Sequence, residues 1–371
     1  MSAELWSLDL EEEMRAFILG LGILLLMSWQ VVPARVSAGG AVSVTRTFQP
    51  DETSGVDTYV SQAAPTTNFG TNASIITSGH GGTGTPDIRH GLLQFTDIAN
   101  IPNGSTVSSA TLSAYDATPS TLTRTLNAHR ATSSWAESTV DYNTQPTFNA
   151  TATNSQSSPA SAAFVNWAVT SDVAAYVGQT ATNYGWLLKD SSETHGGSIA
   201  ACTNTFDSAS GATATNRPKL AMTFTAVWDS YNNSGRTTQD DLFQTGENTA
   251  YMRGTGFNVG GSYVVAYYDG SGDKRCTEVI SATGGTLDSI CTFAEGSGPG
   301  TWNAVVFEPG ITAPATFGAI DSNTHKVIGI DTFTVEAGAV IPELASALAA
   351  VVVAFSTLFI FVWFFKSGGQ R

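Results

Sequence analysis

Between about residue 45 and residue 226, apolar side chains return at every second position over short runs, and clusters of Gly, Pro, Asn and Ser separate the runs. Leu220, Met222 and Phe224 alternate with Ala221, Thr223 and Thr225, and Leu122 and Leu126 alternate with Thr and Arg along Thr121 to His129. A period of two puts successive side chains on opposite faces of an extended chain, so these runs predict half-buried antiparallel strands. Ser78 to Pro86 and Ile101-Pro102-Asn103-Gly104 predict turns between them. One short helix is expected over Asp172 to Val177, capped by Thr170 or Ser171, ended by Gly178, with Val169, Val173 and Tyr176 on one side. So many strands over 45–226 suggest a sandwich or jelly roll. A second set of strands follows over 227–339: Tyr251 to Phe257, Ser262 to Tyr268, a hairpin turn at Asp269 to Asp273, Trp302 to Phe307 and Thr332 to Val335.

Composition narrows the class further. Only 13% of the residues are charged, where about 25% is usual. Thr, Ser, Ala, Gly and Asn fill the gap, which excludes a coiled coil or long helical bundle. With 31 acidic against 16 basic residues the net charge is −15, which repels phosphate and argues against nucleic acid as a partner.

The two ends are apolar for different reasons. After Met14-Arg15 an apolar run extends from Phe17 to Val32, Pro33 breaks it, and Val36-Ser37-Ala38 supplies a small-x-small exit. That order describes a secretory signal peptide over residues 1–38, with the true start at Met14 because Glu11-Glu12-Glu13 puts acid where such peptides carry positive charge. At the other end Leu344 to Phe365 holds 22 residues without a charge, about 33 Å of helix, followed by Lys366 and Arg371. This reads as a transmembrane helix with its short tail inside and residues 39 to about 340 outside the cell. Ile341-Pro342-Glu343 stands directly before the span. The three-part tail over 341–371 resembles the PEP-CTERM family of sorting signals, departing from it in that Leu344 replaces the second Pro. The resemblance implies recognition by an exosortase or archaeosortase, a membrane transpeptidase that exchanges the tail for another anchor.

Between the ends, a series of pieces occurs in order: Asp57, Pro65 to Gly70, Leu92 to Phe95, Ile101 to Val107, Ala110 to Leu112, Trp135 to Val140, Gln145-Pro146, Trp167 to Thr170, Asn183 to Leu188 and Arg217 to Leu220. The series resembles the DNRLRE (disaggregatase-related) domain family, also classed as a carbohydrate-binding module. The resemblance implies a jelly-roll fold over 45–226 and polysaccharide binding at microbial surfaces. The Gly-x-Gly-Phe turn at Gly254 to Phe257 with Tyr263 to Asp269 is similar to Ig-like surface domains, which implies a spacer over 227–339. The fold class expected is therefore all-β: a jelly-roll sandwich, a smaller Ig-like β-sandwich, an N-terminal signal peptide and a C-terminal transmembrane helix.

Cys276 and Cys291 stand 15 residues apart and could close a disulfide in an oxidising compartment or remain two buried thiols, leaving Cys202 buried or free for a partner. Four Asn-x-Ser/Thr sequons, at Asn72, Asn103, Asn149 and Asn232, fall in expected loops. Catalytic motifs are missing: there is no zinc signature around His80 and His90, no nucleophile elbow, no phosphate loop, and Glu137 and Asp141 read as a surface pair. The chain is read as no enzyme.

Sugar binding has a physical basis, because saccharide rings stack their C–H faces on aromatic rings and offer hydroxyls to Asn, Asp, Gln and Arg. Tyr59, Phe69, Tyr142, Tyr184 and Trp186 lie near such residues and are the candidates, while Trp135 and Trp167 are assigned to the core. No cofactor is called for, although Asp51, Glu52 and Asp57 could hold a structural calcium. The expected protein is a non-catalytic, membrane-anchored surface protein whose partner is an extracellular or cell-surface polysaccharide. The alternative is a structural envelope, matrix or adhesion protein whose β-domains contact protein.

Overall fold

The computed structural model describes residues 40–336, apart from 83–84, 212, 232, 238, 244–248 and 294–297. The apolar run Phe17 to Val32, the span Leu344 to Phe365 and the motif Ile341-Pro342-Glu343 lie outside the described residues. Among the described residues no helix is long and apolar enough to cross a membrane.

The structure is mostly β. The chain opens with β1 (Gly40–Val42), and a first group of strands follows: β2 (Val44–Phe48), β3 (Val56–Ser61), β4 (Ser74–His80), β5 (Asp87–Gln94), β6 (Thr106–Thr118), β7 (Thr125–Arg130), β8 (Asn154–Ser157), β9 (Ala163–Ala168), β10 (Trp186–Asp190), β11 (Thr203–Asp207) and β12 (Lys219–Thr225), with α1 (Thr170–Val177) between β9 and β10. The second group is β13 (Trp228–Tyr231), β14 (Leu242–Phe243), β15 (Thr249–Thr255), β16 (Ser262–Tyr268), β17 (Lys274–Ser281), β18 (Thr286–Thr292), β19 (Gly300–Phe307) and β20 (Val327–Val335).

Strands β2 to β12 make one curled sheet in the order β2-β12-β6-β11-β4-β5-β10-β7-β8, with β3 on β5 and β9 on β6. It folds over a core in which Leu112, Trp167, Trp186, Phe206, Leu220 and Phe224 are buried. The alternation of β12 is the one expected: Leu220, Met222 and Phe224 are buried and the residues between them half-buried. Helix α1 buries Val173 and Tyr176 against the same core, below Val169. Its start is not capped by a hydroxyl, because Thr170 Oγ1 accepts the Ala110 amide of β6 (3.0 Å) and ties the helix to the sheet instead.

The second group, joined by β1, forms two sheets, β1-β20-β19-β16-β17 with β14 also on β20, and β13-β15-β18, around a core of Trp228, Phe243, Tyr267, Trp302 and Phe333. Strand β16 explains how the groups join. Its sequence Tyr263-Val-Val-Ala-Tyr-Tyr268 is apolar at every position, as for a strand covered on both faces. Tyr263, Val265 and Tyr267 face the second core, while Val264, Ala266 and Tyr268 enter the first, beside Val44 and Phe48. The chain also crosses between the groups at its start: β1 pairs with β20 and β2 with β12.

Polar contacts reinforce this junction. Arg46 of β2 and Glu308 after β19 form a buried ion pair (2.5 Å), Lys326 approaches Glu308 from the other side (3.7 Å), and the Thr47 amide donates to Asn323 Oδ1 (2.6 Å). At Gly256, φ is +81° and the Asn103 amide donates to the Gly256 carbonyl (2.7 Å). A Cβ there would stand 1.8 Å from the Asn103 oxygen, so only glycine fits.

Cys276 of β17 and Cys291 of β18 are joined in a disulfide with a Cα–Cα distance of 5.8 Å. These strands end two different sheets, so the bond links sheet to sheet. Cys202 is a free thiol and fully buried.

One buried charge sets a pH dependence. Asp116 of β6 is fully buried and neither carboxylate oxygen has a well-formed hydrogen bond. Burial pushes its pKa up to about 7, against a smaller lowering from the nearby Thr205 and Thr118 amides. The folded state therefore holds this proton well above the pH at which the unfolded chain loses it, and stability falls as pH rises between the two. Asp116→Asn, which mimics the protonated form, is expected to raise the melting temperature at pH 8 and to converge on the parent near pH 4. Thermal unfolding across that range checks it, and a pH-independent difference would contradict the assignment.

Candidate functional site

The outer face of β3, β5, β10 and β7 is built from adjacent apolar pairs. Leu93 and Leu188 point into the main core, whereas Leu92 and Leu187 point outward and join Val60 and Val140 in a small separate cluster. The segment 131–150 lies over that cluster, and Trp135, Tyr142 and Phe148 pack on it half-buried. Its ends are held by a Thr132 amide bond to the Thr147 carbonyl (2.7 Å) and by Thr132 and Thr147 hydroxyls in contact (2.8 Å). Its middle is held by Asn68, whose Nδ2 donates to the Glu137 and Val140 carbonyls (2.7 Å each). Two of the pieces quoted above, Pro65 to Gly70 and Trp135 to Val140, are thus in direct contact.

Polar groups from the sheet surround the rings. His90 is buried and bridges Gln145 Oε1 at Nδ1 and Glu193 Oε1 at Nε2, both at 2.6 Å. Lys189 pairs with the same Glu193 oxygen (2.8 Å) and stands 5.7 Å above the Phe148 ring. Tyr142 is 6.0 Å from the His90 ring, and His129 makes an edge contact with Phe148 at 5.2 Å. Burial alone would raise the Glu193 pKa, but the His90 and Lys189 hydrogen bonds outweigh it and hold the carboxyl below its usual range. Glu193 is therefore an anion at neutral pH, able to accept from hydroxyls, beside aromatic faces that remain part-exposed.

The aromatic candidates part company here. Tyr142 belongs to this face. Tyr184 is half-buried next to it, its carbonyl accepting the Trp135 indole N–H (2.8 Å). Tyr59 is buried and stacked on half-buried Phe69 with centroids 4.3 Å apart, so each covers one face of the other. Trp186 has no exposed surface and donates its indole N–H to buried Asp172 (2.9 Å), so the expectation that it stacks on sugar is corrected: it is a core residue. Trp135 is corrected in the other direction, from core to half-buried surface, whereas Trp167 is fully buried. Phe148, Lys189 and Glu193 carry no mark in the sequence, and His90 and Gln145, noted there for a zinc motif and a family piece, are not marked as contacts for a sugar. The signal that could have found them is the doubled apolar pattern of Leu92-Leu93 and Leu187-Leu188, which shows that both faces of these strands are covered.

The acidic candidates do not converge. Asp51 is exposed and its Oδ1 caps Thr53 and Ser54, which lowers its pKa to about 2. Glu52 is exposed. Asp57 is buried, its Oδ2 accepting the Ala209 amide (2.8 Å), and burial pushes it up to about 7, with Glu137 adding to the rise. Its neighbour is Glu137, which accepts the Asp57 amide at 3.3 Å, while Asp141 is occupied in capping Thr144. His80 is bonded to the Gly197 carbonyl (2.9 Å), apart from His90's partners.

A cavity of about 360 Å³ lies where the two strand groups meet, lined by Ile101, Tyr176, Val177, Asn183 and Asn258 among others. Its aromatic residue, Tyr176, is buried and donates to the Gly185 carbonyl (3.0 Å), so it offers no ring face for stacking.

The first strand group thus carries part-exposed aromatic rings beside a fixed carboxylate, amide and ammonium, a combination suited to the C–H faces and hydroxyls of sugars. Residues 49–226 match the family model of carbohydrate-binding module family 96, which supports a carbohydrate-binding module domain over that segment. No curated protein matches the chain. Among solved structures, an FMN-binding beta-glucuronidase from Facaelibacterium prausnitzii L2-6 is 8% identical with a TM-score of 0.20, covering 76% of this chain and 40% of its own. The beta-glucuronidase of Parabacteroides merdae is 8% identical with a TM-score of 0.19, covering 78% of this chain and 30% of its own. The chain thus spans less than half the length of either, and likeness at that level transfers neither fold nor activity.

Proposed function

We propose that the protein is a non-catalytic surface protein that binds a polysaccharide across the face formed by Trp135, Tyr142 and Phe148. The observation that carries this reading is the half-buried aromatic trio above His90, Glu193 and Lys189, inside the segment matched to a carbohydrate-binding module family. Rings of this kind meet the C–H faces of sugars, and Glu193, Gln145 and Lys189 meet hydroxyls. In this reading the first strand group is a jelly-roll module and the second an Ig-like support. The signal peptide exports them and residues 344–365 anchor them outside the membrane, with Ile341-Pro342-Glu343 marking the tail for a transpeptidase.

Glycan arrays and pull-downs on cell-wall and matrix polysaccharides test the reading with the full chain. Tyr142→Ala and Trp135→Ala are expected to weaken binding by about tenfold or more each, with unfolding midpoints measured alongside. Retained affinity in both variants, or a parent protein blank on every polysaccharide, would reject it. The second reading, an envelope or matrix protein that binds protein, draws on Val279 and Ile290, which are 70% and 45% exposed on the terminal strands β17 and β18. Self-association of a sugar-blank protein, abolished by Val279→Lys, is its expected sign.

A further inference from the structure

Strand β20 carries an anomaly. From Gly329 on, its inner positions are Gly329, Asp331, Phe333 and Val335, with Phe333 and Val335 in the second core, so an acid stands where the pattern calls for an apolar residue. Asp331 is fully buried, and neither of its carboxylate oxygens has a well-formed hydrogen bond, although the Ser230 hydroxyl and the Thr332 amide lie near it. The Ser230 hydroxyl is turned to the Asp240 carbonyl (3.0 Å) and Asp241 Oδ1 (3.1 Å). Orphaned buried carboxylates are costly, and this one is not relieved by an ion pair among the described residues.

Its surroundings make the situation worse for a bare carboxylate. Asp229 of β13 and Asp241 before β14 each bring an oxygen to it, and the three oxygens lie within 4.8 Å of one another. Both neighbours are only half-buried, so solvent reaches the group from their side. The backbone fixes the arrangement from three directions. β13 is held by β15, β20 lies between β1 and β19, and the Thr334 amide donates to the Asp241 carbonyl (2.7 Å). Gln239 donates to Asp229 Oδ2, orienting that carboxylate.

We infer that Asp229, Asp241 and Asp331 form a divalent-cation site, with Ca²⁺ the ion it fits. All the donors are hard oxygens, with no imidazole or thiolate among them, which selects Ca²⁺ or Mg²⁺ over transition metals. Ca²⁺ holds oxygens at about 2.3–2.6 Å, so three carboxylate oxygens within 4.8 Å of one another can ligate one such ion. Mg²⁺ demands near-ideal octahedral geometry and gives up its waters reluctantly, so a site drawn from three separate segments suits it less. Half-exposed Asp229 and Asp241 leave room for the waters that complete the shell. Bound there, the ion would tie β13, the start of β14 and β20 together, strands that belong to two sheets of the second group. The site lies outside residues 49–226 and is independent of sugar binding.

The test is calcium titration of the full chain by calorimetry, with thermal unfolding in EDTA, in Mg²⁺ and in Ca²⁺. A site of the affinity common in extracellular modules, saturated at 10 mM Ca²⁺, should raise the melting temperature by about 5 °C or more over EDTA. Mg²⁺ should give a smaller shift. Asp331→Asn should lose the calcium response and weaken binding at this site at least tenfold. Because Asp331→Asn also removes a buried charge, Asp229→Asn serves as the second variant and should lose the response likewise. No calcium-dependent shift in the parent, or an equal shift in both variants, would overturn the inference.

Discussion

Glu308→Ala is expected to lower the unfolding free energy by about 3–5 kcal/mol, the cost typical of leaving one half of a buried ion pair behind. Arg46, at 5% exposure, would then keep its charge inside the protein with Phe48 stacked beneath it at 4.8 Å and no carboxylate opposite. Lys326 cannot take the place of the lost anion, since it carries the same sign. The paired change Arg46→Met with Glu308→Leu should restore most of the loss, because two apolar side chains need no partner there. Denaturant unfolding of the two single variants and the pair closes the cycle. A single-variant loss under 1 kcal/mol would mean that the pair is hydrated, contrary to its burial. Unfolding should remain one transition throughout, since Val264, Ala266 and Tyr268 of the second group share a core with Val44 and Phe48 of the first.

Reducing Cys276–Cys291 should cost roughly 3 kcal/mol, the loop-closure value for 15 residues. The bond joins two edge strands of different sheets, so its loss frees a corner that β-pairing does not otherwise close. Other contacts at that corner are Ile290 N–H to Glu278 Oε1 (2.8 Å) and the buried Tyr267 hydroxyl on Ser289 (2.5 Å). Thermal unfolding with and without reductant, repeated on Cys276→Ser with Cys291→Ser, measures the effect. The double variant should match the reduced parent and ignore reductant. Cys202 serves as an internal control, since a fully buried thiol should resist alkylation until the protein unfolds. An unchanged melting temperature on reduction would show that the corner is held by packing alone.

Strand positions were legible in the sequence because period-two alternation and turn residues are local signals. What covers each face was not, because it depends on segments far along the chain. Trp135 and Trp186 illustrate the difference. Both are tryptophans beside Asn, Tyr or Glu, yet Trp186 sits on a strand facing the closed core while Trp135 rides on a returning segment. The run Tyr263 to Tyr268 reads as a strand, and its lack of alternation means that both faces are buried, which is what joins the two strand groups. Gly40 to Val42, outside both segments drawn from the sequence, adds to the second group's sheet because β20 offers it an edge. Asp331 was hidden in the same way: only the pairing of β20 shows that its side of the strand is the inner one.

That pairing has a mechanical consequence. Strand β20 is gripped along one edge by β19 and along the other by β1 and β14, and Gly40 lies opposite Thr332 near its end. A pull on the chain beyond Val335 acts along the strand axis, so the ladder bonds on both edges bear load together instead of opening one by one. The shared core then passes the tension directly into the first strand group with no hinge between. A molecule tethered from that end and gripping a polymer at the other would bear drag as one stiff link.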